Sequence, residues 1–551
     1  MIIIHQIKLR PGFDESELRK KVIGALRILP DDLISLRIER MSIDARKKPD
    51  IFMSVSCVCE IRHEMSVLKR IRNNDSISKY EPVIYKEPQT GEEKLIHNPI
   101  IIGSGPCGLF AAYKLAIAGY KPIVCERGYD IDSRMKSVNN FWETGELNTN
   151  SNVLFGEGGA GTFSDGKLNT LVKDKYGRNR EVLKIFVENG ADESIMYDAK
   201  PHIGTDKLVE VVKNMRNRIT ELGGKFRFNA EVTDILFADG KVNAVMINGL
   251  ERLDCEVVVL AIGHSARNTF KMLYDRKIEM CQKDFAVGFR IQHSQDMINS
   301  ALYGNDKSVV SNLPPASYKL TYKAENGRGV YSFCMCPGGY VVNASSEYNR
   351  LCINGMSYSK RDGKNANSAI VVTVGRDDFE DDSPLAGLRF QEKIEAAAYK
   401  AGGGKIPCAY YGNFKNEVND GLQLLNVPES DILCDTVPEM RGMYCFTGIS
   451  DVLPPKLNET IVEGIEYFDR IIPGFAENGA ILSAVESRTS SPVRIVRGDD
   501  YQSVTVGGLY PAGEGAGYAG GITSAGMDGI CVYEAIAKKY SPFKEEKEIQ
   551  K

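Results

Sequence analysis

Apolar and polar residues alternate at period two through residues 34–43 (ISLRIERMSI) and again through residues 51–61 (IFMSVSCVCEI), with ARKKPD between them. That period predicts two strands, each with one buried face, joined by a turn. Ahead of them MIIIHQIKL reads as a strand, and Asp14 can cap a helix whose Leu18, Val22 and Leu26 share one face. A helix carrying Val67, Leu68 and Ile71 follows. The order β-α-β-β-α predicts a ferredoxin-like α+β module over residues 1–85. Residues 85–99 are polar and rich in turn formers, which predicts a linker.

Beyond it the pattern changes. Ile100, Ile101 and Ile102 form a short, wholly apolar strand, residues 109–118 continue as a helix that Gly119 can end, and PIVCE is a second strand closing at Glu126. Between strand and helix, Gly103, Gly105 and Gly108 stand at the spacing GxGxxG, and Glu126 comes 18 positions after the last of them. The spacing alone is weak; its setting predicts a dinucleotide-binding unit. Gly103 would make the tight turn, Gly105 let a pyrophosphate approach the backbone, and Gly108 let helix and strand pack, with the helix N-terminus facing the phosphates. Glu126 would accept the ribose hydroxyls of an adenosine. Pro106 and Arg127, inside the same unit, join the cofactor-binding candidates, whereas Cys107 reads as packing. FAD and NAD both suit such a unit.

Composition narrows the class. At 551 residues, 43% hydrophobic and 26% charged with a net charge of −4, the chain suggests two to four domains and no global nucleic-acid or membrane footprint. No apolar run approaches the ~18 residues of a membrane helix. The N-terminal stretch lacks a signal-peptide pattern, which points to a cytoplasmic protein. Thirteen scattered cysteines make neither a disulfide framework nor a zinc site, so no metal is expected. The last residues, KEEKEIQK, predict a frayed, solvated tail.

Two more segments are dense in glycine: 151–170 (SNVLFGEGGAGTFSDGKLNT) and 508–530 (GLYPAGEGAGYAGGITSAGMDGI), the second followed directly by a helix-forming stretch. Between them lie a hairpin and the apolar strand VVVLAIG, ending at Gly263. Together with KPHIGTDKL, YSFCMCPGGYVV and VESRTSSPVRI, this order of motifs resembles a bacterial family of FAD-dependent dehydrogenases related to the glutathione-reductase-like and geranylgeranyl-reductase-like flavoproteins. The resemblance spans residues 95–540 and implies FAD. It implies that Gly513 and Glu514 reach the ribityl chain, with Glu where most relatives have Asp. It implies also that Gly521 and Ile522 open a helix aimed at the flavin ring, and that Val232 meets the adenine through its backbone. The loop with Gly161, Ser164, Gly166 and Lys167 would cover the ring. The fold class is then α/β: a Rossmann-like, three-layer ββα FAD-binding domain (95–265 and 505–540), an inserted mixed-sheet substrate domain (266–504) and the ferredoxin-like module.

Residues 264–506 hold no second strand-GxGxxG-helix unit, so NADH or NADPH would serve only as a transient electron donor. GRDDFEDD (375–382) reads as a solvated acidic loop. Flavin chemistry asks little of side chains. The candidates are His264, after the apolar strand, and Cys334 with Cys336, which at a spacing of two should share one face of a strand. His202 precedes a helix that Thr205 or Asp206 can cap. The expected function is hydride transfer between flavin N5 and a small organic substrate. The alternatives are an RNA-modifying flavoprotein, for which residues 1–75 carry only 15 basic against 11 acidic side chains and no stacking aromatics, and a non-catalytic FAD-binding electron-transfer or sensing protein.

Overall fold

A computed structural model of the chain describes residues 1–71, 74–420 and 436–543. The expected C-terminal tail lies outside these residues.

The three apolar strands found by their composition become the centre of a five-stranded parallel sheet. Its order is Leu509–Pro511, Val258–Leu260, Ile100–Ile102, Ile123–Cys125, Lys225–Arg227. Such strands are buried on both faces, so they must be apolar throughout. Ile101 and Val259 turn to one side, against Leu109, Leu208, Val212 and Ile530 of the helices Pro106–Ile117, Thr205–Glu221 and Ile522–Lys539. Ile100, Ile102, Val258 and Leu260 turn to the other, against Val232, Ile235, Val242 and Val245 of a three-stranded antiparallel sheet. The result is three layers, sheet on sheet on helix.

The chain leaves and re-enters this unit through strands Met280–Gln282 and Val493–Ile495, which pair with each other. Phe270, Leu273, Met280, Val493 and Ile495 pack with the three-layer core. The inserted body is therefore shorter than the expected 266–504. It is built on a mixed seven-stranded sheet of order Thr321–Lys323, Gly329–Cys336, Asn365–Val374, Phe285–Ser294, Ile481–Glu486, Ile406–Tyr410, Tyr444–Phe446.

The N-terminal module forms a four-stranded antiparallel sheet, Leu33–Asp44, Phe52–Ile61, Ile2–Leu9, Ile77–Lys79, with Asp14 capping the helix Glu15–Leu26 as expected. The short last strand, which no alternation marks, completes the ferredoxin-like order. The module is less separate than its patterning suggests. Met41 donates to the Tyr197 carbonyl and accepts from Ala199 N–H, both at 2.8 Å, and Ile51 is fully buried in the core of the inserted domain. The expected linker is likewise tied down. Glu87 binds Lys114 and accepts from Tyr533 Oη, and Gly91 N–H bonds the Ala537 carbonyl at 2.8 Å.

Candidate functional site

Two helices start at this site without help from their own side chains. Pro106–Ile117 begins at Gly105 and Ile522–Lys539 at Gly521, and neither N-terminus has a side-chain cap. Their first N–H groups are left for a ligand, and the positive ends of both helix dipoles point outward. The ends are neighbours: a Cβ on Gly161 would lie 3.2 Å from Ile522 Cγ1 and 3.6 Å from Pro106 Cγ.

The GxGxxG glycines differ in what surrounds them. Gly103 has φ +99°, and a Cβ on Gly108 would fall 2.0 Å from the Gly103 carbonyl oxygen, so turn and packing demand both. At Gly105 the nearest atom would be Gly159 Cα at 3.8 Å, and at Gly263, Gly520 and Gly521 nothing would lie within 4 Å. Bare backbone thus faces open space along both glycine-rich halves.

Glu126 is buried, and its carboxylate is already engaged. One oxygen accepts from Ser104 N–H at 2.9 Å and Ser104 Oγ at 2.7 Å, the other from Gly128 N–H at 2.9 Å and Gly156 N–H at 3.0 Å. Four donors fill the four acceptor positions of a carboxylate. Arg127, beside it, stacks on Phe155 with its guanidinium 4.2 Å from the ring centre. Val232 opens a strand of the antiparallel sheet and is buried.

The loop from 152 to 159 is wrapped around a charge the sequence did not single out. Arg134, fully buried, donates to the carbonyls of Asn152, Val153, Gly156, Glu157 and Gly159. Burial lowers its pKa to about 10, so it stays protonated at neutral pH. Glu157 accepts from Ile131 N–H at 2.8 Å and Arg216 Nη1 at 2.9 Å through one oxygen, while the other is buried without a partner. Burial raises this carboxyl to about 7, against the opposing pull of Arg216.

In the second glycine segment, Gly513 N–H bonds Asp528 at 2.7 Å, and Arg497 holds the same carboxylate with both Nη atoms at 2.6 and 2.9 Å. Glu514 is partly exposed, with Oε1 3.6 Å from His264 Nδ1. His264 Nε2 is buried with no partner.

The 160–167 loop closes on itself. Ser164 Oγ donates to the Gly161 carbonyl at 2.7 Å and accepts from Gly166 N–H at 3.0 Å. Lys167 Nζ then reaches across to the Met335 carbonyl and lies 3.1 Å from Asp165 Oδ2. Asp165 is gripped by Arg361 through a two-pronged pair. Here two local expectations fail. Neither Thr205 nor Asp206 caps the helix, whose first flanking residue is Gly204; Thr205 Oγ1 donates to the Ser164 carbonyl and Asp206 accepts from Ser359, so both serve tertiary contacts instead. Cys334 and Cys336 do not share a face. The register against Asn365–Val374 slips between Phe333 and Cys336, a bulge with Cys334 at φ +42°. Cys336 is buried and Cys334 exposed. Burial pushes the Cys334 thiol up to about 12, against the opposing pull of Lys167 and Arg290.

The family described as FAD-dependent protein, C-terminal domain-like matches residues 284–489, and a domain of unknown function matches residues 1–60. Glycine oxidase from Bacillus cereus is similar at 13% identity over 80% of this chain and 94% of its own, with a TM-score of 0.34. L-Proline dehydrogenase from P. horikoshii is similar at 12% over 82% and 94%, with a TM-score of 0.30. A Clostridium beijerinckii protein described only as an uncharacterized protein is 46% identical over 543 residues, covering 98% of this chain and 99% of that one. The chain belongs to the same family as this Clostridium protein.

Proposed function

We propose that the chain is an FAD-dependent oxidoreductase that passes a hydride between flavin N5 and a small organic substrate. The observation that carries this reading is the meeting of two uncapped helix N-termini around Gly161, with bare backbone at Gly105, Gly263, Gly520 and Gly521. A dinucleotide needs such a lining: N–H donors for its phosphates and no side chains in its path. The match of residues 284–489 to an FAD-dependent protein supports the choice of FAD.

The bound flavin would supply the hydride chemistry. The chain would do the holding. First-turn N–H groups of Pro106–Ile117 take the pyrophosphate, and Gly105 leaves room for it. Glu126 fixes the turn through Ser104, Gly128 and Gly156, and shares its oxygens with the ribose only by giving up one of those donors. The Val232 backbone would hold the adenine, and Glu514 with Gly513 the ribityl chain. The N-terminus of Ile522–Lys539 would offer its partial positive charge to the flavin, and the loop carrying Gly161, Ser164, Gly166 and Lys167 would help to hold it. Among the described residues no helix is long and apolar enough to cross a membrane, and no cluster of side chains suits a metal ion.

Purification settles the first half: one FAD per chain is expected, and FMN or a colourless protein would refute the assignment. Anaerobic addition of NADH, then NADPH, to the yellow protein tests the second, with bleaching of the flavin band by either identifying the donor.

A further inference from the structure

The second glycine segment is gripped by a single guanidinium before, inside and after its turn. Arg497 Nη1 donates to the Pro511 carbonyl at 2.8 Å, ahead of the turn. The same Nη1 at 2.9 Å and Nη2 at 2.6 Å hold the two oxygens of Asp528, and Asp528 Oδ2 accepts from Gly513 N–H at 2.7 Å, inside the turn. Beyond it, the guanidinium carbon lies 3.8 Å from the centre of the Tyr518 ring, and Tyr518 N–H bonds the Gly513 carbonyl at 3.1 Å. The N–H and the carbonyl of Gly513 are thus each tied to Arg497 through one intermediary.

The Cα of Gly513 is stopped by the first helix. Gly513 has φ +71°, and a Cβ there would fall 2.7 Å from Cys107 Cβ and 3.0 Å from Cys107 Sγ. Cys107 belongs to the first turn of Pro106–Ile117, and a Cβ on Gly529 would lie 2.3 Å from its carbonyl oxygen. Gly513 and Gly529, the neighbour of Asp528, therefore both rest on Cys107. Arg497 is placed by the returning chain: it follows the strand Val493–Ile495, its N–H bonds Tyr518 Oη at 3.2 Å, and its guanidinium lies 4.5 Å from the Tyr501 ring centre. The side chains of Arg497 and Asp528 are only 9% and 10% exposed. A planar fork can make these grips at once, which a lysine cannot.

We propose that Arg497 and Asp528 are the positioning residues of the flavin half of the site: they set the 511–518 turn, and with it the place of Gly513 and Glu514 toward the ribityl chain. The inference rests on the flavin reading proposed above and adds an asymmetry to it. Glu514 reaches His264 Nδ1 only at 3.6 Å, beyond hydrogen-bond distance, so its place follows from the backbone that carries it. The adenosine half draws on other partners: Glu126 is held by Ser104, Gly128 and Gly156, and none of these bonds involves Arg497 or Asp528. A fault in the pair should fall on the ribityl and flavin end alone.

The test uses the full-length protein freed of its flavin and titrated with FAD and with ADP, which shares the adenosine and pyrophosphate but lacks the ribityl chain and ring. Arg497→Lys keeps a charge opposite Asp528 and loses the fork; it should bind FAD about tenfold or more weakly while its ADP affinity stays within about twofold of the parent's. The double variant Arg497→Met with Asp528→Leu strands no buried charge and should show the same split. Retained ADP binding separates positioning from general damage, because a merely structural role would weaken both ligands together or lower the melting temperature alone. Selective loss of FAD in either variant upholds the inference; equal losses of FAD and ADP, or loss of neither, in both variants would overturn it. A parent protein that takes up ADP but no FAD would overturn the flavin reading and this inference with it, a failure told apart because it precedes any substitution.

Discussion

Arg290 Nη1 donates to the main-chain carbonyl of Cys334 at 3.1 Å, from a guanidinium buried in the inserted domain. The bond is made at the residue whose backbone is left-handed, and the other edge of Arg290 is fixed by Glu486 at 3.0 Å. A buried ion pair thus sets the direction in which a bulged strand presents a thiol. Its effects are measurable.

Glycine accepts a positive φ freely, while a β-branched side chain resists it at ~1–2 kcal/mol. Cys334→Gly should therefore be at least as stable as the parent, and Cys334→Val less stable than Cys334→Gly by about that amount. Urea midpoints of the three proteins provide the comparison; equal midpoints for Gly and Val would mean the bulge relaxes.

The same thiol should be unreactive in spite of its exposure. Alkylation needs the thiolate, and a thiol pushed up to about 12 is protonated at pH 8. Iodoacetamide at pH 8 should modify Cys281, which is also exposed, well before Cys334. Peptide mass mapping over time gives the order, and earlier labelling of Cys334 would place a stronger cation beside it than burial can outweigh.

Gly105 and Gly108 should separate binding from folding. A methyl group at Gly105 meets nothing nearer than 3.8 Å, so Gly105→Ala should fold with a normal melting temperature of the flavin-free protein while losing flavin. At Gly108 the same methyl group falls 2.0 Å from a carbonyl oxygen, so Gly108→Ala should lower the melting temperature as well. Flavin-free melts and bound-flavin ratios distinguish the two, and identical behaviour would mean neither glycine faces the cofactor.

Glu126→Ala should cost stability even without flavin, since it leaves Ser104, Gly128 and Gly156 donors buried and unpaired at ~1–3 kcal/mol each. A variant that loses flavin but melts like the parent in the flavin-free form would show the carboxylate free for the ribose instead.

Glu157 should make stability fall as pH rises. Its carboxyl titrates near 7 in the folded chain against 4.5 for the ordinary group, so the folded state holds the proton longer than the unfolded one. Its contribution is most favourable below 4.5, declines between 4.5 and 7, and is flat above 7; the full change is on the order of 3 kcal/mol. Glu157→Gln, isosteric and uncharged, should remove that slope. Unfolding free energies at pH 5, 6, 7 and 8 should converge on or cross those of the parent, whereas parallel profiles would place the Glu157 titration elsewhere.

What the sequence makes legible here is what depends on near neighbours. Gly103 and Gly108 act on a turn and one helix, so their spacing carries those two roles, and residues 100–102 and 258–260 declare a doubly buried sheet by composition alone. Arg134 and Asp528 escape notice because their partners, the carbonyls of 152–159 and Arg497, lie 18 or more positions away. Cys334 and Cys336 mislead for a different reason: alternation assumes an unbroken strand, and one bulged residue reverses the face of everything beyond it. Thr205 and Asp206 look like caps locally and are spent on Ser164 and Ser359, which no local pattern reports.

The hydrogen bonds of Met41 to Tyr197 and Ala199 end one residue short of Lys200. The ferredoxin-like module is therefore the abutment of the segment that leads into His202 and the helix Thr205–Glu221. At that abutment a groove of about 670 Å³ is lined by Leu36 and Ile38 of the module together with Arg180, Met196 and Tyr197.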